Sequence, residues 1–258
     1  MAGGATATCT INGYLKTANT NGFSGSTSTA ISSSSTSITL GSTSTIDYSS
    51  NTTQTITGRA DYAALVYSGT GTGILGGTIT TSGAVTLSGS GNFYMGTTSG
   101  SVVYNLTAGG QFNITGSSID FLPTGNTSTV SGIIYLNGNL LHTSGTSTTS
   151  GNSSSVTDGG FVFSGSGTIV SPQTISLAGT LPFTNFTINS NTVVQANSNI
   201  ILNGNSTSAW TGTFIVSGTL NLQGNTVTSN GATSVFTLNA GATTVSYTHL
   251  TLPTIYSV

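Results

Sequence analysis

An all-β chain wound as a right-handed parallel β-solenoid is the architecture that these 258 residues describe. Three observations lead there. A phrase recurs: Leu136-Asn137-Gly138-Asn139, Leu202-Asn203-Gly204-Asn205 and Leu222-Gln223-Gly224-Asn225, with a looser copy at Leu238-Asn239-Ala240-Gly241. The copies at Leu202 and Leu222 imply a period of about 20, and self-similarity at roughly 20–50 residues marks stacked repeats. Second, short runs of Ile, Val, Leu and Phe alternate with Thr and Asn and stop at Gly, Asn or Ser, which is strand-and-turn chemistry. Third, Glu is absent and Lys16 and Arg59 are the whole basic inventory, so the solvent-facing helix formers are missing.

Hairpins in a β-sandwich use the same strand lengths, so a sandwich is the alternative. The recurring phrase favours coils, because equivalent residues of successive coils can lie above one another. Val, Ile and Leu would then stack inward, Asn amides would bridge coils at the turns, and Gly would serve the corners with positive φ. With one inter-strand spacing of about 4.8 Å per coil, roughly ten coils make a rod of about 50 Å.

Composition excludes several function classes. Charged residues are 2% of the chain and the net charge is -2. Duplex binding needs several Lys or Arg to displace counterions, so no nucleic-acid partner is expected. No run of about 18 apolar residues occurs, so no membrane-spanning helix is expected. Disorder is disfavoured because hydrophobic residues reach 35% and fall in spaced clusters. Ser and Thr exceed a third of the chain, so hydroxyls and amides must replace charge at the surface, as suits an extracellular setting. Cys9 is the one cysteine and can form no internal disulfide. The N-terminus shows no basic segment followed by an apolar one, so the expectation is that Met1 is not the native start or that the chain is an internal fragment.

Along the chain, 7–11 and 14–15 read as strands. Residues 1–55 as a whole are rich in Ser and Thr and read as a loose cap or irregular coils, punctuated by Ile31, Ile38, Leu40 and Ile46. The solenoid proper is expected over 56–244. Its candidate strands are 63–67, 73–80, 84–87, 92–95, 102–106, 111–115, 119–122, 133–136 and 139–142. A Ser/Thr-rich loop is expected over 143–156. Strands then resume at 160–163, 168–170, 174–177, 183–188, 192–195, 199–202, 213–216, 219–222, 226–228 and 234–238.

The last segment, 245–258, reads differently. Val245-Ser246-Tyr247-Thr248-His249-Leu250-Thr251-Leu252-Pro253-Thr254 resembles the conceptual translation of a transposase-based sequencing-library adapter. The expectation is a non-native tail on a metagenomic fragment, so it is set aside from functional reasoning.

A family resemblance rests on Phe186-Thr187-Ile188-Asn189, Gly218-Thr219-Leu220-Asn221-Leu222 and Phe236-Thr237-Leu238-Asn239-Ala240-Gly241-Ala242. These phrases resemble the β-strand-repeat surface proteins and autotransporter-like adhesins of bacteria. The resemblance implies a parallel β-helix displayed outside the cell. It carries no catalytic motif.

Candidate chemistry is sparse. Polysaccharide-cutting β-helices need paired carboxylates, whereas Asp47, Asp61, Asp120 and Asp158 are far apart in sequence. Arg59 and Asp61 lie two apart, on one face of a strand, and are expected to form an ion pair beside Tyr62. His142 lacks partners for a metal site. No enzyme, cofactor or metal is therefore expected. Candidate ligand contacts are Trp210, Tyr62, Arg59 and Asp61, with aromatic rings offered to sugars. The expected function is an extracellular structural or adhesive rod with weak binding to glycans or matrix. The alternative is ice binding through Thr78-Ile79-Thr80, Thr211-Gly212-Thr213 and Thr226-Val227-Thr228, and a lyase or hydrolase is the remaining class.

Overall fold

A computed structural model describes residues 7–32, 36–148, 159–179, 181, 184–202, 212–229 and 234–246. These residues contain 26 strands and no helix. The first coils contain β1 (Ala7–Ile11), β2 (Tyr14–Thr17), β3 (Thr36–Leu40), β4 (Thr45–Tyr48), β5 (Gln54–Ile56), β6 (Ala64–Tyr67) and β7 (Thr72–Leu75). The middle contains β8 (Ile79–Thr81), β9 (Val85–Leu87), β10 (Asn92–Tyr94), β11 (Leu106–Ala108), β12 (Phe112–Thr115), β13 (Ser118–Asp120), β14 (Ile133–Leu136), β15 (Leu140–Ser144) and β16 (Ser147–Thr148). The last coils contain β17 (Gly160–Phe163), β18 (Gln173–Leu177), β19 (Asn185–Ile188), β20 (Val193–Ala196), β21 (Ile200–Leu202), β22 (Thr213–Val216), β23 (Thr219–Asn221), β24 (Val227–Ser229), β25 (Val235–Leu238) and β26 (Thr243–Val245).

Strands adjacent in sequence do not pair; each pairs in parallel with its counterpart one coil on. This produces a ten-stranded sheet, β2-β4-β6-β9-β12-β15-β18-β20-β23-β26, and a seven-stranded sheet, β8-β11-β14-β17-β19-β22-β25. A five-stranded sheet, β5-β7-β10-β13-β16, makes a third face, and β21-β24 takes the same place in later coils. The fold is the parallel β-solenoid, and hairpin pairing of a sandwich is not used between any named strands.

Alternation follows from the two-residue period of a strand. In β6, β7, β14, β20 and β22, every second side chain is buried. The buried set forms one cluster from Ile11 to Leu220. Three of its rings follow one another, Phe161–Phe186 stacked at 5.9 Å and Phe186–Phe214 tilted at 5.7 Å between centroids, and the exposed Phe236 meets Phe214 edge-on at 5.7 Å from outside the cluster. Asparagine bridges coils as expected. The side-chain oxygens of Asn105, Asn139, Asn185 and Asn199 accept the backbone N–H of Ile133, Thr174, Thr213 and Thr226, one coil later, at 2.9–3.0 Å. Glycine serves close approach where corners stack: a Cβ on Gly138 would lie 2.4 Å from Gly110, and one on Gly83 would lie 2.5 Å from the Ala63 carbonyl.

Several expectations are corrected. The coil is not a fixed 20 residues: Thr45 to Ala64 takes 19, and Leu140 to Ile175 takes 35. The Leu-x-Gly-Asn phrase does not stack on itself. Leu136 lies in the seven-stranded sheet, Leu202 in β21, and Leu222 follows β23 of the ten-stranded sheet. The phrase marks the end of a strand on any side; a left-handed turn follows at Gln223 (φ 49) and Gly224 (φ 81), whereas Asn137 and Gly138 turn without positive φ. The solenoid begins well before residue 56, since β2 and β4 belong to the ten-stranded sheet and Ile46, Tyr48 and Phe23 are fully buried. Residues 168–170 are no strand; Ile169 and Val170 project on a turn. Val102 is likewise exposed, on an excursion where Gly96 and Val103 form an antiparallel bridge. Most of the loop expected at 143–156, and 247–258 of the tail, lie outside the described residues, while Val245 pairs with Asn221.

Candidate functional site

Among the described residues, ion pairs gather on the first three coils. Tyr14, Leu15 and Lys16 alternate, so Tyr14 and Lys16 share the outer face of the ten-stranded sheet. Register sets Lys16 against Asp47. The Asp47 carboxylate accepts the Tyr14 hydroxyl, and it accepts Ser68 Oγ at 2.7 and 2.9 Å on its two oxygens. Lys16 Nζ lies 3.5 Å away. Asp47 is 1% exposed, whereas Lys16 is 56% and Tyr14 61% exposed. A fixed carboxylate thus underlies an exposed ring and an exposed ammonium. The hydrogen bond to Asp47, with some desolvation and the carboxylate's charge, pushes the Tyr14 hydroxyl up to about 12. Sequence reasoning missed this cluster because Lys16 and Asp47 are 31 residues apart, inside a stretch read as a cap.

The second cluster was expected. Arg59 Nε donates to Asp61 Oδ1 at 2.7 Å and Nη2 to Oδ2 at 2.5 Å, a two-pronged pair. Nη2 also donates to the Ile38 carbonyl at 3.1 Å, and the guanidinium sits 5.5 Å from the Phe23 ring centre. The shared hydrogen bonds raise Arg59 and lower Asp61 from their ordinary values. Tyr62 corrects the expectation of a sugar-facing ring: it is 1% exposed. Its hydroxyl donates to the Thr57 carbonyl at 2.7 Å and receives the Tyr48 hydroxyl at 2.7 Å, while Thr57 N–H donates to the Tyr48 oxygen at 3.0 Å. That closed ring satisfies two buried phenols, whose pKa values burial raises. Trp210 lies outside the described residues.

Comparison with protein-family models, curated proteins and solved structures returned no match. The chemistry is therefore read from the geometry alone.

Each described carboxylate is engaged. Asp47 and Asp61 are held as above, and the buried Asp120 accepts the Leu122 N–H at 3.1 Å. Asp158 lies outside the described residues. No three His, Cys, Asp or Glu side chains gather among the described residues. His142 points inward, 4% exposed, and its Nε2 donates to the Gly145 carbonyl at 3.1 Å. Of the Thr-x-Thr triplets, Thr80 and Thr213 fall on strands of the seven-stranded sheet and Thr228 on β24. Thr211 lies outside the described residues. The Thr80 position continues through Thr107, Tyr135, Val162, Thr187 and Ile215, so the described part of that face is no regular threonine array.

The ten-stranded sheet instead presents neutral ladders. Asn113 donates to Thr86 at 3.1 Å, Asn197 to Ser176 at 3.4 Å, and Gln223 to Gln195 at 3.5 Å. Away from Lys16 and Asp47, these pairs offer donors and acceptors to hydroxylated ligands without charge.

Proposed function

We propose that this chain is an extracellular structural and adhesive rod of a bacterial surface protein, with weak glycan contact along its ten-stranded face. The single observation that carries the reading is that face: ten parallel strands over one continuous core, whose outer side includes hydroxyl and amide pairs between coils such as Asn113 with Thr86 and Asn197 with Ser176. A stack of ten strands at about 4.8 Å spans about 43 Å. The exposed Tyr14 ring beside Lys16 is the most ligand-like point on it.

Support also comes from what the carboxylates do. A lyase or hydrolase needs two carboxyl groups facing one bond, and Asp47, Asp61 and Asp120 are each occupied in separate networks. Ice binding would need a repeated threonine plane, and the outer column containing Thr80 mixes Tyr, Val and Ile into it.

The test is binding of the purified full chain to arrays of neutral and acidic glycans and to matrix preparations. Retention on a glycan class, reduced by Tyr14→Ala, supports adhesion. No retention on any preparation leaves a spacer and ends the adhesive half of the reading.

A further inference from the structure

One corner of the coil, between the seven- and ten-stranded sheets, turns tightly six times and loosely once. The tight corners are 82–84, 109–111, 137–139, 189–192, 217–218 and 239–242, each of two to four residues. The loose one, 164–172 between β17 and β18, takes nine. Its extra length forms a ridge. At the tip Thr168 N–H donates to the Ser171 carbonyl at 3.0 Å, and Ser171 N–H returns to the Thr168 carbonyl at 3.2 Å. Ile169 and Val170 on that tip are 84% and 93% exposed, whereas every other described isoleucine is buried or half-buried.

The base of the ridge is fastened to both neighbouring coils. Gln173 Oε1 accepts Gly165 N–H at 3.0 Å, and its Nε2 donates to the Leu136 and Gly138 carbonyls, one coil earlier, at 3.0 and 2.6 Å. One coil later, Thr192 Oγ1 donates to the Gly165 carbonyl at 3.1 Å and Val193 N–H to the Gly167 carbonyl at 3.3 Å. The ridge is thus in place before any ligand arrives, which lowers the ordering cost of binding.

Between the ridge and the 137–139 corner lies a hollow of about 260 Å³, open to solvent and just under the size usual for drug-sized ligands. Asn137, Asn139, Ser166, Thr168, Ser171 and Pro172 line it. Both amides are oriented through their oxygens. Asn137 Oδ1 accepts Ser164 Oγ at 3.1 Å, and Asn139 Oδ1 accepts Thr174 N–H at 2.9 Å. Among the described residues no hydrogen bond uses either Nδ2, so the N–H donors of both amides remain for a ligand.

We infer that this hollow binds one unit of a neutral saccharide. Fixed amide donors beside hydroxyls suit neighbouring sugar hydroxyls, and Pro172 offers apolar surface to the C–H face of a ring. The Ile169–Val170 tip extends the same wall. Beyond Asp120 the described residues include no Asp, Glu, Lys or Arg. A carboxylate, sulfate, phosphate or amine on the ligand would find no counter-charge here, and an unpaired charge is costly to desolvate. The inference rests on the adhesive reading and gives it a specific site at the border of the ten-stranded face.

The purified full chain is screened on neutral and acidic glycans, and each retained glycan is titrated by saturation-transfer NMR. Asn137→Asp with Asn139→Asp keeps each Oδ1 acceptor and removes the Nδ2 donors. Ile169→Ser with Val170→Ser changes only the exposed tip, and circular dichroism melts check that both variants fold. Neutral glycans are expected to bind, at least about tenfold more weakly in the asparagine variant and about threefold more weakly in the tip variant. Binding lowered by Tyr14→Ala but untouched by either corner variant would overturn this site and leave the adhesive reading standing. Preference for acidic glycans, or retention of an uncharged Ser/Gly/Asn peptide with no glycan retained, would overturn the saccharide assignment. No retention of any kind would end both.

Discussion

The early and late coils fill one core by different means. Around coils two and three the core holds Tyr48, Tyr62 and Tyr67, and each phenol has a hydrogen-bond partner: Thr57 and one another for the first two, the Gly71 carbonyl at 2.5 Å for the third. Later coils hold the Phe161–Phe186–Phe214 series, which asks only for size and spacing. Ion pairs divide in the same way, with Lys16–Asp47 and Arg59–Asp61 both on the early coils. The comparison teaches that the solenoid tolerates polar filling wherever a closed hydrogen-bond ring accompanies it, because an unpartnered buried polar group is costly. The two ends should therefore fail differently.

The largest effect is expected in the phenylalanine stack. Phe186→Ala should cost about 3–5 kcal/mol in denaturant unfolding, since the cavity sits between Phe161 and Phe214. A cost below about 1 kcal/mol would mean that the stack is not the late core. Next come two glutamines that do one job in an early and a later coil. Gln54 donates Nε2 to the Thr17 and Asn19 carbonyls, both at 2.9 Å, and accepts Ser50 N–H at 3.0 Å, which is the pattern of Gln173 at a different corner. Gln54→Leu and Gln173→Leu should each cost about 2–3 kcal/mol, because each strands two carbonyls and an N–H. Unequal costs would show which end is the more cooperative.

Smaller effects sharpen the tyrosine side. Tyr48→Phe should cost about 1–2 kcal/mol by removing the acceptor for Thr57 N–H and the donor to Tyr62. Alkali should act there first. Burial pushes Tyr67 up to about 12 and raises Tyr48 and Tyr62, so the neutral forms belong to the folded state. Their contribution is complete below the ordinary tyrosine value of about 10 and is lost as pH rises through the folded values. Phenolate absorbance should rise together with unfolding rather than before it. The smallest effect is Asp61→Asn, under about 1 kcal/mol because Asp61 is 48% exposed. Its lowered pKa makes that contribution present above about 4 and lost as pH falls through the folded value. The mutant and parent melting temperatures should therefore converge in acid.

Much of the architecture was legible because strand alternation and turn residues are local properties. Strands at 63–67, 133–136 and 213–216 were placed within a residue. Arg59 with Asp61 was legible because the two are close in sequence, although they meet in the segment between β5 and β6 and not on one face of a strand. Whatever depends on coil length was not. Lys16 meets Asp47, and Gln173 meets Leu136, through register that no single coil encodes. The Leu-x-Gly-Asn phrase looked like a stacking signal, yet turn chemistry is the same on every side of a coil. Ile169 and Val170 read as a strand because β-branched residues favour one, and nothing local reveals that the Thr168–Ser171 turn lifts them into solvent. Whether Tyr62 faces a ligand or the core was not legible, because alternation shows that neighbours face opposite ways but not which way is in.

One measurement addresses the parallel stack directly. In a Cys9→Ser background, spin labels at Ala64 and Asn221 sit on β6 and β23, six steps apart in the ten-stranded sheet. Pulsed electron–electron resonance should give a backbone separation of about 29 Å, falling to about 19 Å when the second label moves to Thr174 on β18, four steps away. Separations that do not scale with the number of coils, as hairpin pairing would produce, would contradict the solenoid.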